Sequence, residues 1–296
     1  MKNKNKFNQK IITILTITLL LLIAGCNNDN NTDNKTSGLF GEGTSSKGGS
    51  GVSLSFAKGN PPEKIIKGQT VTFAFVFTNY QEHPITDLQV KTKNFDRGYV
   101  TGLGENYNIN EIPRASSKTG PGIYSGNVVE GVKIDSFNGN YNFNPIFDYC
   151  YSAKTFYREQ ICVPSNKNQC DTNIEKSSKQ NGPIDVKIER MTSVNNNVRI
   201  DFIASNTGSG QVVNECFKTD DYANDYDLKV TLGSSEGTCE ATSGQKIING
   251  KSNFYCTFPR TGDDSYASQV IVEMDYKYQQ TSKHNIMVED LNQGYE

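Results

Sequence analysis

Apolar and polar residues alternate with a period of two over most of the chain beyond residue 50. Val71, Phe73, Phe75 and Phe77 fall on one face of the run Val71-Thr-Phe-Ala-Phe-Val-Phe77, as a half-buried strand requires. Val198-Arg199-Ile200-Asp201-Phe202 repeats the device with its charged residues outward. Near the end, Val270, Val272, Met274 and Tyr276 alternate with Ile271, Glu273, Asp275 and Lys277. No segment after residue 26 sustains apolar residues at helical spacing over ten positions. Asn249-Gly250, between Lys246-Ile247-Ile248 and Lys251-Ser252-Asn253-Phe254, suits a two-residue hairpin turn, where both central residues need positive φ. The expected fold class is all-β.

The pattern repeats within the chain. Val71 to Asn79 aligns without gaps on Val198 to Asn206, with Val, Phe and Asn shared, and each copy ends in a turn. Each is preceded by a candidate first strand, Val52 to Phe56 and Ile184 to Ile188. Residues 51–165 and 183–291 span about 115 and 109 positions, close to the ~100 of a seven-stranded sandwich. The Asn-, Ser- and Lys-rich stretch 166–182 is the expected connection, and 292–296 a short tail.

An alternating strand ending in Asn, followed in the second copy by the turn "SNTGSGQVV" and in the first by "TNYQEHPIT", resembles the immunoglobulin-like modules of the CARDB and NEW3 type found on prokaryotic cell surfaces. The whole layout is similar to tandem-domain lipoproteins of archaeal surfaces. That resemblance implies two tandem β-sandwich domains with adhesion or spacer duty and no defined active site.

The N-terminus has a different character. Lys2, Lys4, Lys6 and Lys10 precede Ile11 to Ile23, an apolar run broken only by three threonines. The run is about thirteen residues, short of the ~20 that span a bilayer as a helix. Ile23-Ala24-Gly25-Cys26 then resembles the lipobox of prokaryotic lipoproteins. It implies a signal peptide over 1–25, diacylglycerol on Cys26 and a cell-membrane location facing outward. Residues 26–50 are nearly all small and polar; they bury too little apolar surface to offset ordering entropy and read as a flexible tether. Asn30-Asn31-Thr32 and Asn34-Lys35-Thr36 fit the glycosylation sequon.

Cysteine arithmetic agrees with an exported protein. Seven cysteines are present; with Cys26 lipidated, Cys150, Cys162, Cys170, Cys216, Cys239 and Cys256 remain, enough for three disulfides. Six cysteines allow 15 pairings. Cys150 and Cys162 flank the expected hairpin "CYSAKTFYREQIC". Cys239 and Cys256 flank Asn249-Gly250, although a strict two-residue hairpin sets Cys256 opposite Ser243, so the pair needs a bulge or loop. Cys170 with Cys216 follows by elimination.

Charge and motifs narrow the function classes. Thirty Lys and Arg against 32 Asp and Glu give a net charge of -2, without the excess of basic residues that phosphate binding needs. Two histidines, His83 and His284, give poor support to a catalytic triad, and no G-x-S-x-G elbow or phosphate-binding glycine loop occurs. No C-x-x-C pair supports a zinc site. Asp220, Asp221, Asn224, Asp225 and Asp227 form the best candidate for Ca²⁺, against the plainer reading of a solvated loop; Asp263-Asp264 reads as a turn. The aromatic run Tyr141 to Tyr151 reads as core packing. The expectation is a non-enzymatic, lipid-anchored surface protein without cofactor. It would contact the membrane through Cys26 and a protein or glycan partner through the sandwiches. An accessory or solute-binding lipoprotein serving a transporter or surface enzyme is the alternative.

Overall fold

The computed structural model describes residues 51–135, 139–164, 178–194, 196–218, 225–241, 246–260, 262 and 264–291. The expected signal peptide, tether, Cys26, Cys170, Asp220, Asp221, Asn224, Asp263, most of the 166–182 connection and the tail lie outside the described residues. Among the described residues the structure is all-β. The first strands are β1 (Val52–Phe56), β2 (Lys64–Ile66), β3 (Thr70–Asn79), β4 (Leu88–Lys93), β5 (Val100–Thr101), β6 (Asn106–Ile109) and β7 (Gly122–Ile134). Then come β8 (Tyr141–Phe143), β9 (Ile146–Val163), β10 (Ser178–Asn181), β11 (Ile184–Val194), β12 (Asn197–Asn206) and β13 (Gln211–Val213). The last are β14 (Asp227–Leu232), β15 (Ser235–Glu236), β16 (Thr238–Ala241), β17 (Lys251–Pro259), β18 (Tyr266–Lys283) and β19 (Ile286–Glu289).

Two four-stranded sheets have matching cores. One runs β1-β3-β7-β5 and the other β11-β12-β17-β16. Val52 pairs with Asn79 and Phe56 with Phe75 in the first; Ile184 pairs with Asn206 and Ile188 with Phe202 in the second. These are the positions that the internal repeat equates. The shared asparagine explains itself. Asn79 Nδ2 donates to the His83 carbonyl (2.8 Å) while its Oδ1 accepts the Gln81 N–H (2.9 Å). Asn206 makes the same two bonds, to the Gly210 carbonyl (2.7 Å) and from the Gly208 N–H (3.2 Å). Asparagine supplies both donor and acceptor where the strand turns away.

The two segments 51–165 and 183–291 share a third sheet, of order β15-β14-β18-β9-β4-β6. Its spine is the antiparallel pair β9 and β18, in register from Ile146↔Lys283 to Val163↔Tyr266. At ~3.4 Å per residue these 18-residue strands run about 60 Å. The N-terminal end of β9 pairs with β4, and β18 pairs with β13 and β14. The C-terminal strand β19 then joins β2 and β8 in a three-stranded sheet. The boundary expected between residues 165 and 183 is therefore bridged by strands that serve both segments.

Aromatic packing joins the layers. Phe147 of β9 meets Phe56, Phe73 and Phe75 at ring-centroid distances of 5.4, 5.7 and 5.0 Å. Of the aromatic run, Phe143, Phe147, Tyr149 and Tyr151 are buried, whereas Tyr141 is exposed. Buried tyrosines on the spine then tie down both segments. Tyr151 Oη accepts the Val52 N–H (2.9 Å) and donates to Gln280 Oε1 (3.3 Å). Tyr278 Oη donates to Asn206 Oδ1 (2.9 Å) and accepts the Gly210 N–H (3.0 Å). Burial pushes the Tyr278 phenol up to about 12. A Cβ on Gly210 would stand 2.2 Å from the Gln279 carbonyl oxygen, so only glycine fits where this turn closes on the spine.

The cysteine pairing needs a correction. "CYSAKTFYREQIC" is not a hairpin but the body of β9. Cys150 and Cys162 therefore lie twelve positions apart on one strand, about 40 Å at the usual rise, beyond any disulfide. Cys150 is bonded instead to Cys216, with Cα atoms 5.6 Å apart. Cys162 is itself disulfide-bonded. Cys239 and Cys256 are bonded and face one another directly in the β16–β17 register. Asn249 (φ 51°) and Gly250 (φ 77°) form the expected turn, closed by an Ile248↔Lys251 bridge. The register sets Cys256 opposite Cys239, four positions earlier than the Ser243 of a strict two-residue hairpin.

Both histidines are set in partly buried loops. His83 is in the turn after β3, and His284 lies between β18 and β19 with its ring 4.6 Å from that of Phe56. Burial lowers both pKa values, assisted at His83 by Lys154 and opposed at His284 by Glu63. His284 Nε2 is buried without a hydrogen-bond partner. A base whose folded pKa lies below its unfolded value gives stability that is complete above that unfolded value, here 6.5, and is lost as pH falls through the folded one. Tm is therefore expected to drop between pH 7.5 and 5.5, and a His83→Gln/His284→Gln double variant should show a shallower drop. An equal slope in both proteins, read by calorimetry, would assign the pH dependence to other groups.

Candidate ligand-binding groove

The outer face of β11-β12-β17-β16 carries a polar ladder. Arg190 pairs with Asp201, Asp201 with Tyr255 and Tyr255 with Glu240 in three adjacent registers. Residues directly opposite on antiparallel strands share a face, so alternation that buries Ile200, Phe202, Phe254 and Cys256 leaves these four outward. A β-bulge between Ile188 and Arg190 sets the phase of β11, with Glu189 as the extra residue.

These side chains hold one another. Asp201 Oδ2 accepts from Arg190 Nε (3.1 Å) and Oδ1 from Arg199 Nε (2.8 Å). Burial alone would raise the Asp201 pKa, but the two guanidinium groups hold the carboxyl below its usual range. The Arg199 guanidinium lies 3.7 Å from the Tyr255 ring centroid, a cation–π contact. The Tyr255 hydroxyl donates to Glu240 Oε2, and this bond is the main cause of its raised pKa. Arg190, Arg199 and Asp201 line a solvent-open groove of about 470 Å³ with Glu189, Asn253 and Tyr255. Exposed ion pairs of this kind contribute about 0–1 kcal/mol to stability; their main effect is to fix where the guanidinium groups sit.

A second groove, of about 510 Å³, contains part of the expected acidic cluster. Asp225 and Asp227 line it with Glu215, Asp275 and Lys277. Asp227 faces Asp275 directly across β14 and β18, a like-charge pair that Lys154 relieves at 3.6 Å from Asp275. Among the described residues no group of three or more His, Cys, Asp or Glu is arranged to hold a metal ion. His83 and His284 come from different loops, and neither lines the two grooves.

The chain matches no protein-family model and no curated protein. Sequence reasoning picked out Arg199 and Asp201 as outward-facing charges on β12. It missed Arg190, Tyr255 and Glu240, because their place beside that pair depends on three strand registers. The local signal in β17 was present: Asn253, Tyr255 and Thr257 alternate with buried Phe254, Cys256 and Phe258.

Proposed function

We propose that the protein is a lipid-anchored extracellular binding or adhesion protein, whose two segments are immunoglobulin-like units displayed from the membrane through Cys26. The observation that carries this reading is the groove on β11-β12-β17-β16. Its arginines and aspartate are ordered by one another before any partner arrives, which lowers the entropy lost on binding. The sheet that presents them is closed by the Cys239–Cys256 bond, in keeping with an oxidising compartment. The lipobox and basic N-terminal segment support the anchor, and the small polar residues after Cys26 support a tether. A second reading, an accessory lipoprotein that holds a small solute, is favoured by the groove volume, which falls within the ~300–1,000 Å³ of small-ligand sites.

Cys26→Ser is the decisive variant for anchoring. It should abolish lipid labelling and move the protein from the membrane fraction to the medium. Unchanged retention on the membrane would replace the lipid with an uncleaved apolar anchor. Crosslinking on intact cells should capture a partner on another surface if the protein is an adhesin, and a transporter or surface enzyme of the same membrane if it is an accessory lipoprotein.

A further inference from the structure

The groove has a chemistry more specific than general adhesion. An arginine side chain offers five N–H donors in a planar fork. Arg190 and Arg199 each spend Nε on the same carboxylate, one on either oxygen of Asp201. No other hydrogen bond or ion pair engages either guanidinium among the described residues. The result is two cations fixed side by side, each retaining its terminal amino groups, with one negative charge between them.

We propose that Arg190 and Arg199 bind the carboxylate of an acidic saccharide, a uronate-type sugar laid along this groove. Two forks held by a shared acid suit a planar carboxylate, which takes paired N–H donors at short distance. The remaining walls suit a sugar rather than a bare anion. Glu189, carried on the bulge, and Asp201 are acceptors, and hydroxyl groups satisfy such acceptors. A compact anion such as phosphate cannot set its charge on the guanidinium groups and separate neutral hydroxyls beside Glu189.

This inference rests on the reading of the chain as a surface binding protein. Its test uses the full-length protein in detergent, an oligogalacturonate probe and the carboxyl-reduced form of the same oligosaccharide, by titration calorimetry. The wild type should bind the acidic probe, with affinity falling as salt rises, and bind the reduced one at least about tenfold more weakly. Arg190→Gln and Arg199→Gln should each weaken the acidic probe by about tenfold or more at unchanged Tm. Arg190, with its side chain 65% exposed, is the safer variant and decides alone if Arg199→Gln does not fold. No binding by the wild type, equal binding of the reduced probe, inorganic phosphate binding as tightly as the oligogalacturonate, or unchanged affinity in a folded variant would each overturn the proposal. Absent uronate binding with lipid anchoring and a crosslinked partner intact would remove this ligand alone. Loss of anchoring and partner together would remove the wider reading.

Discussion

Phe147→Ala should lower the unfolding free energy by about 3–5 kcal/mol, the range for removing a fully buried aromatic side chain. Phe147 is completely inaccessible and stands between the layers, against Phe56 of β1 and Phe73 and Phe75 of β3. Deleting its ring leaves a void whose walls are other large rings, anchored on separate strands and poorly able to close in. The loss also falls on β9, which is paired with β18 along its whole length. Urea unfolding followed by tyrosine fluorescence should therefore show one earlier transition for the entire chain. Two separated transitions, one unshifted, would show that the segments fold independently and that the shared spine does not couple them.

The second large effect belongs to the Cys150–Cys216 bond. It closes a sequence separation of 66 residues, and the chain-entropy relation gives about 4 kcal/mol for a loop of that length. The Cys239–Cys256 bond closes 17, for which the same relation gives about 3 kcal/mol. A Cys150→Ser/Cys216→Ser variant should thus lose more stability than Cys239→Ser/Cys256→Ser when both are measured in urea. The structural reason reinforces the order. Cys150 is fully buried on the outer side of the spine, where the segment after β13 lies across it. The Phe217 N–H donates to Gln279 Oε1 (2.8 Å), and Lys91 lies 6.0 Å from the Phe217 ring. The reverse order of stabilities, or peptide mapping that recovers Cys150 joined to another cysteine, would contradict this account.

Much of this architecture is written locally, and the alternation of β12, β17 and β18 survives into their burial patterns, whereas β3, expected to be half-buried, is buried on both faces from Phe73 to Phe77. The matched Asn79 and Asn206 turns and the Asn249-Gly250 turn follow from residue chemistry within a few positions. β9 shows where local reading stopped. Its centre, from Ser152 to Gln160, contains no glycine or proline, and Ala153, Thr155 and Tyr157 alternate with Ser152, Lys154 and Phe156. Two flanking cysteines suggested a turn that the intervening residues do not encode. The groove was less legible still, because Arg190, Asp201, Tyr255 and Glu240 meet only after four strands have chosen their registers.

The spine also dictates the order in which the chain can assemble. β9 is complete by residue 163, yet its partner along every position is β18, which begins at residue 266. β2, near the start, awaits β19, whose last residue is 289. Pairings of such long sequence separation form slowly. The segment up to residue 163 must therefore wait, with the β18-facing edge of β9 unpaired, until residues 266–289 have been synthesised.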